Sequence, residues 1–286
     1  MGNSRLAASI HILDDDSLLN IFYLYRPSLL GEDKDDLNED SRLTGGNEGW
    51  DREHWWYELS HVCQQWRRVI LGSASYLGVS LVCTIGTPVA DMLAHSPPLP
   101  LVIEYRNEND VISAEDEEGA ILALKHYNRV SRVRLQMPVT SLEKLIAAMD
   151  DDYPILEYLI IAHPFEDKSL FSQFSETLRA PNLRRLYLQG FALPMGSRLL
   201  TTAVGLVTLG LFMVHPSTYS HPNILLRWLS SMPQLETLLV SFLFPVPNRD
   251  IERQLTHTPI TTPITLPNLR HFESRGVTSP SKNITM

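Results

Sequence analysis

The chain has 286 residues, 44% of them hydrophobic and 20% charged, with a formal net charge of −9. That length and apolar content call for one or two packed domains rather than a disordered chain. The acidity excludes a general nucleic-acid binder and disfavours an anionic membrane surface, because both kinds of binding depend on Lys and Arg.

Two cysteines, Cys63 and Cys83, are too few for a disulfide framework or a thiolate zinc site. They fit a reducing compartment, so cytoplasm or nucleus is the expected location. The opening MGNSRLAASIHILDDD has no apolar run of the kind a signal peptide needs. Its Met-Gly start does not fit an acylation motif, since Leu6 stands where Ser or Thr is required. No stretch approaches the ~18 uninterrupted apolar residues of a spanning helix, and no membrane association is expected.

Residues 1–9 read as a flexible start. Asp14-Asp15-Asp16 then precede SLLNIFYLYR, and these acids suit the free amides and positive end of a helix. Leu18, Ile21, Phe22 and Tyr25 fall on one apolar face, and Pro27 closes the helix. Residues 31–53 carry nine Asp or Glu against three Lys or Arg, with four glycines. Such a run cannot bury enough apolar surface to offset its ordering entropy, and its simplest role is a solvated acidic insertion. Helical spacing returns at residues 54–71, where Trp55, Leu59, Val62, Trp66 and Val69 share a face and Gly72 suits a C-cap. His54 and His61 are two turns apart, too far to share a metal ion. Cys63, beside that face, reads as a small core residue.

From about residue 74 the texture changes. Short apolar runs recur behind turn residues: NRVSRVRL, PILEYLII, PNLRRLYL, VGLVTLGL, PQLETLLV and PNLRHFES. All fit the frame L-x-x-L-x-L. Its first positions are Val130, Leu156, Leu183, Leu206, Leu235 and Leu269, at intervals of 26, 27, 23, 29 and 34 residues. Leucine-rich repeats run about 20–29 residues, so all but the last interval fit. LPLVIEY (99–105) reads as a further strand, and YLGVSL (76–81) as a diverged earlier copy.

Helical patterns lie between the runs. Thr140 and Glu143 have capping-box spacing before Leu142, Leu145, Ile146 and Met149. Ser113 and Asp116 have the same spacing before EEGAILALKHY, and Pro222 suits the first turn of a helix carrying Leu225, Trp228, Leu229 and Met232. Strand, turn and helix in repetition predict an α/β solenoid over residues 74–277, each unit covering its neighbour's apolar face. Residues 278–286 read as a disordered tail. The frame's usual Asn is replaced by Pro164, Phe191, Val214 and Leu243, so the turns need other hydrogen-bond partners.

Within the frame, the fourth and sixth places point into the core and their neighbours outward along the concave sheet. The outward set is Arg132, Arg134 and Gln136; Tyr158 and Ile160; Arg185, Tyr187 and Gln189; Thr208 and Gly210; Thr237, Leu239 and Ser241. This basic and aromatic strip suits a client protein with acidic character.

The segments IHILDDDSLLNIFYLY and WWYELSHVCQQWRRVILGS resemble the two halves of an F-box, and the chain as a whole resembles fungal F-box-like proteins with irregular leucine-rich repeats. The resemblance rests on Leu13 with Asp14 in the usual place of Pro, on Ile21-Phe22, and on Val62-Cys63-x-x-Trp66-Arg67. It implies a helical module over residues 10–72 that docks on the adaptor subunit of an SCF-type ubiquitin ligase, and through it on a cullin scaffold. The adaptor-binding positions it implies are Leu13, Asp14, Leu18, Ile21, Phe22, Val62, Cys63, Trp66 and Arg67. The repeat domain would hold the client through Arg132, Arg134, Tyr158, Ile160, Arg185, Tyr187, Gln189, Thr237 and Leu239. The alternative is a free-standing leucine-rich-repeat scaffold with a degenerate F-box.

No Walker loop, GxSxG or HExxH motif occurs, and neither enzyme activity nor a cofactor is expected. Glu115-Asp116-Glu117-Glu118 stands at a helix start, where acids offset the dipole. Asp150-Asp151-Asp152 reads as a solvated turn, and His215 and His221 as surface residues beside a Pro-rich turn.

Overall fold

The computed structural model describes residues 13–26, 55–107, 112–163, 176–191, 197–214, 228–242 and 265–275. The acidic insertion, both ends of the chain, Pro27, His54, Pro164, His215, His221, Pro222, Leu225 and Leu243 lie outside the described residues. The chain divides into two compact units, 1–82 and 83–286. The short helix Ala74–Leu77 falls within the first unit.

In the first unit, helix α1 (Asp15–Tyr25) begins at Asp14, whose Oδ1 accepts the Ser17 amide at 2.6 Å. That bond holds the exposed Asp14 carboxyl below its ordinary pKa. Asp15 and Asp16 occupy the first turn, where negative charge offsets the helix dipole. The single helix expected over 54–71 is two: α2 (Trp55–Ser60) and α3 (Gln64–Gly72). The chain breaks at Cys63, which takes an extended conformation as the N-cap of α3, so Cys63 lies on no helix face. Nor does Gly72 cap α3; it is the last helical residue and Ser73 is the C-cap. The left-handed glycine stands later, at Gly78, closing α4 (Ala74–Leu77). Leu18 and Phe22, one turn apart, are buried, and Phe22 meets the Trp66 ring edge-on at 4.9 Å. Arg68 and Gln65 of α3 both reach Asp15, at 2.9 and 3.0 Å. Trp56 Nε1 donates to the Ser80 carbonyl at 3.2 Å, tying the last residues of the unit to α2.

The remaining elements form an α/β repeat. Strands β1 (Leu81–Cys83), β2 (Leu101–Arg106), β3 (Val130–Gln136), β4 (Tyr158–Ala162), β5 (Arg185–Gln189), β6 (Thr208–Val214), β7 (Thr237–Phe242) and β8 (His271–Arg275) lie in sequence order in one sheet. Every pairing from β2 to β8 is parallel. Each L-x-x-L-x-L copy supplies one strand. YLGVSL is split instead between the end of α4 and the start of β1.

Helices α5 (Val89–His95), α6 (Ala114–Lys125), α7 (Val139–Ala148) and α8 (Arg198–Thr202) stand between strands. Ser113 caps α6 as expected: its Oγ accepts the Asp116 amide at 3.1 Å and donates to Asp116 Oδ2 at 2.7 Å. The Thr140–Glu143 box is absent, because α7 begins two residues earlier with Pro138 as its N-cap. Lys144 of α7 pairs with Glu117 of α6 at 2.7 Å.

Burial follows the frame. Val133 and Leu135, Leu159 and Ile161, Leu186 and Leu188, Leu209 and Leu211, Leu238 and Val240 are all buried. The first-place residues Val130, Leu156, Leu183, Leu206 and Leu235 are fully buried as well. Burial of one such side chain contributes about 1.5–3 kcal/mol, so the rows dominate the unit's stability.

Every strand from β4 is entered by the same turn. The amides of Leu156, Leu183, Leu206, Leu235 and Leu269 donate to the carbonyls of Tyr153, Ala180, Ala203, Met232 and Leu266. Pro154, Pro181, Pro233 and Pro267 occupy the second turn position, where their fixed φ is already suitable. The repeat frame therefore extends three residues upstream, with an apolar anchor there: Tyr153, Ala180, Ala203 and Met232 are fully buried.

Side chains link consecutive turns where the usual Asn ladder is missing. Asn182 Nδ2 donates to the Pro154 carbonyl at 2.6 Å, and Asn268 Nδ2 to the Pro233 carbonyl at 2.9 Å. Main-chain bonds repeat beside them. The Glu157 carbonyl accepts from Arg184 and Arg185, that of Arg184 from Val207 and Thr208, and that of Val207 from Glu236 and Thr237. The turns thus satisfy their polar groups through neighbouring units, as a buried backbone must.

Candidate functional surfaces

Strand register decides which outward residues meet. Across the sheet, one row runs Arg132, Tyr158, Arg185, Thr208, Thr237, His271. The next runs Glu104, Arg134, Ile160, Tyr187, Gly210, Leu239, Glu273. A third runs Arg106, Gln136, Ala162, Gln189, Phe212. All nine expected client-binding residues therefore lie on one face of the sheet.

They differ sharply in exposure. In the first row Arg132, Tyr158, Arg185 and Thr237 are half-buried. In the inner rows Ile160, Tyr187, Gln189 and Leu239 are buried, with Leu239 only 1% exposed. Ile160, Tyr187, Phe212 and Leu239 form an apolar cluster of their own, flanked by Tyr158. The first row is the more accessible one, and the inner rows form its floor.

Two glycines make that floor. The rings of Tyr187 and Phe212 stack almost parallel, at 6° with centroids 6.4 Å apart. A Cβ on Gly210 would stand 2.5 Å from Tyr187 Cδ1 and 2.8 Å from Phe212 Cε2, so only glycine leaves room for both rings. Gly190 has φ +78°, and a Cβ there would fall 1.7 Å from His163 Nε2. His163 is buried at the end of β4, its carbonyl accepts from Gln189 Nε2 at 3.2 Å, and its ring stands edge-on to Phe191. Gly190, His163 and Phe212 were not among the expected site residues. A glycine inside or just after a strand frame was the available signal.

Charge is concentrated at the β2 and β3 end of the same face. Glu104 and Arg106 form an ion pair, beside Arg132 and Arg134 in register. Burial favours the neutral forms of three groups, Cys83, Tyr105 and Tyr153. Burial pushes the Cys83 thiol up to about 12, with Arg129 opposing the shift. Burial likewise raises the Tyr105 and Tyr153 hydroxyls, and Tyr153 donates to the Leu124 carbonyl at 3.0 Å. Among the described residues no group of three His, Cys, Asp or Glu could hold a metal ion. The acidic run at Glu115 begins α6, and Asp116 there accepts the Gly86 amide at 2.7 Å.

The first unit presents a different surface. Of the positions carried by the F-box resemblance, Leu18 and Phe22 are core residues. Helical geometry is the reason: both turn toward the Trp66 helix. Leu13, Cys63 and Trp66 are half-buried. Asp14 is exposed as the α1 cap, and exposed Arg67 donates from Nε to the Ser60 carbonyl at 3.1 Å. Ile21 and Val62 are open, at 45% and 53% exposure. Leu24 and Tyr25 are open too, with Leu24 the most exposed at 82%. Ile21, Leu24 and Tyr25 at i, i+3 and i+4 form one apolar stripe on α1. Leu24 was missed because the helical pattern grouped Ile21 and Tyr25 with Leu18 and Phe22, and only the latter two are core.

Together these features define an α/β protein with an all-parallel open sheet in a solenoid-like arrangement, preceded by a small helical unit. No protein-family model matches the chain, and no curated protein is significantly similar to it. Among the described residues no helix is long and apolar enough to cross a membrane.

Proposed function

We propose that the chain is a non-catalytic substrate receptor: the helical unit docks on the adaptor of an SCF-type ubiquitin ligase, and the repeat sheet holds the client. The observation that carries this reading is the exposed stripe Ile21, Leu24 and Tyr25, on a helix whose other face is already packed. A small helical unit that leaves large apolar side chains in water while burying Leu18 and Phe22 is built for a helix-mediated contact. The Val-Cys-x-x-Trp-Arg segment supports it from sequence, with Trp66 bracing Phe22 behind the stripe. On the sheet, the half-buried row of Arg132, Tyr158 and Arg185 offers two guanidiniums flanking an aromatic ring, a combination frequent at binding hot spots.

The test is capture of the purified adaptor by the full chain, compared with an Ile21→Asp, Leu24→Asp variant. Both positions are solvent-facing, so the variant keeps its circular dichroism spectrum and melting temperature while capture falls at least tenfold. A folded native chain that captures no adaptor overturns the receptor reading and leaves the repeat sheet as a free-standing interaction scaffold.

A further inference from the structure

The core rows of the repeat sheet are covered strand after strand and then stop. Ile103, Val133, Leu159, Leu186, Leu209 and Leu238 stand in register and are all buried. The next member of that row, Phe272 of β8, is 61% exposed. The entry turns behave in the same way. Leu235 and Met232 are fully buried, whereas their counterparts Leu269 and Leu266 are only half-buried. Among the described residues no strand lies beyond β8. A parallel-sheet edge that carries core residues is a template for another strand.

We propose that β8 pairs with β8 of a second copy of this chain, antiparallel about a two-fold axis through Phe272. The sequence of the strand selects both occupant and register. Directly opposed residues in an antiparallel pair share a face, so the axis must pass through a residue. An axis through Phe272 sets the exposed ring against its twin. It also sets His271 opposite Glu273 of the second copy, and Glu273 opposite the second His271. An axis through Glu273 opposes two carboxylates. An axis through His271 leaves Phe272 against Arg270. Within one chain His271 Nε2 and Glu273 Oε2 are already 3.7 Å apart, so the two-fold contact gathers two imidazoles and two carboxylates on one face. Such an interface is self-complementary, as a closed dimer requires, and it continues the buried rows from one copy into the other. Its small area makes the dimer concentration-dependent.

The experiment is sedimentation equilibrium of the full chain over the micromolar range. The weight-average mass rises from 32.5 kDa toward twice that value with concentration. Phe272→Ser weakens the association at least tenfold. Two further variants fix the register. His271→Glu alone, and His271→Lys with Glu273→Lys, each place like charges across the axis and stay monomeric. Mixed in equal amounts they place Lys opposite Glu at both positions and recover the heavier species. A native chain that stays at 32.5 kDa at every concentration overturns the proposal. So does a mixture that stays monomeric while the native chain dimerises. A mass that climbs past the dimer marks head-to-tail addition and overturns the two-fold arrangement.

Discussion

The two units use apolar residues in opposite ways. The helical unit buries Leu18, Phe22, Trp55, Trp56, Val69, Ile70 and Leu77 and leaves Ile21, Leu24, Tyr25, Tyr57 and Val62 in water. The repeat unit buries nearly every residue its frame marks as apolar, and even its outward face carries the buried cluster of Ile160, Tyr187, Phe212 and Leu239. A few short helices have too little interior to enclose all their large side chains, whereas a stacked repeat gains interior with each added unit. An exposed apolar residue is therefore ordinary in the first unit and an exception within the repeat frame, where it falls at Phe272.

The largest expected effect breaks the repeat core. Leu209→Ala removes a fully enclosed side chain from the middle of a row and costs about 2–5 kcal/mol, read as a lower urea midpoint. A cost below about 1 kcal/mol would mean the rows are loosely packed. Gly210→Val comes next, because its side chain must displace the Tyr187 and Phe212 rings, at a cost of about 1–3 kcal/mol. Near-UV circular dichroism from those rings should fall with it.

Cys83→Ala sharpens the comparison through pH. The folded thiol is raised from 9.0 to about 12, so its contribution is complete below pH 9 and is lost as pH climbs toward 12. Between pH 9 and 10 the native chain loses up to about 1.4 kcal/mol per pH unit through this group, and comparison with the variant separates it from the tyrosines. The variant should lose less over that interval, and an unchanged slope would assign the alkaline loss elsewhere. The smallest effect comes from the helical unit, where Leu24→Ala changes stability by less than about 0.5 kcal/mol because the residue is exposed.

Much of the repeat was legible. Each L-x-x-L-x-L copy became one strand, in order, with its fourth and sixth places in the core until Phe272. The Ser113 cap was legible too, since its bonds span only three residues. The Thr140 box failed because Pro138 offered an earlier start for the same apolar face. The helix over 54–71 failed because a periodic pattern continues through His61–Cys63 while the backbone does not.

Sequence by itself determined the repeat: its period, its core positions and the common face of Arg132, Tyr158 and Arg185, because strand alternation is a local property of the backbone. Tertiary structure alone decided exposure. Whether Tyr187 or Leu239 is open to a client, whether Leu18 or Leu24 faces water, and whether Asn182 bonds to Pro154 depend on what distant residues bring alongside. Burial is a property of the assembled neighbourhood: at identical positions in the frame Leu238 is 3% exposed and Phe272 61%.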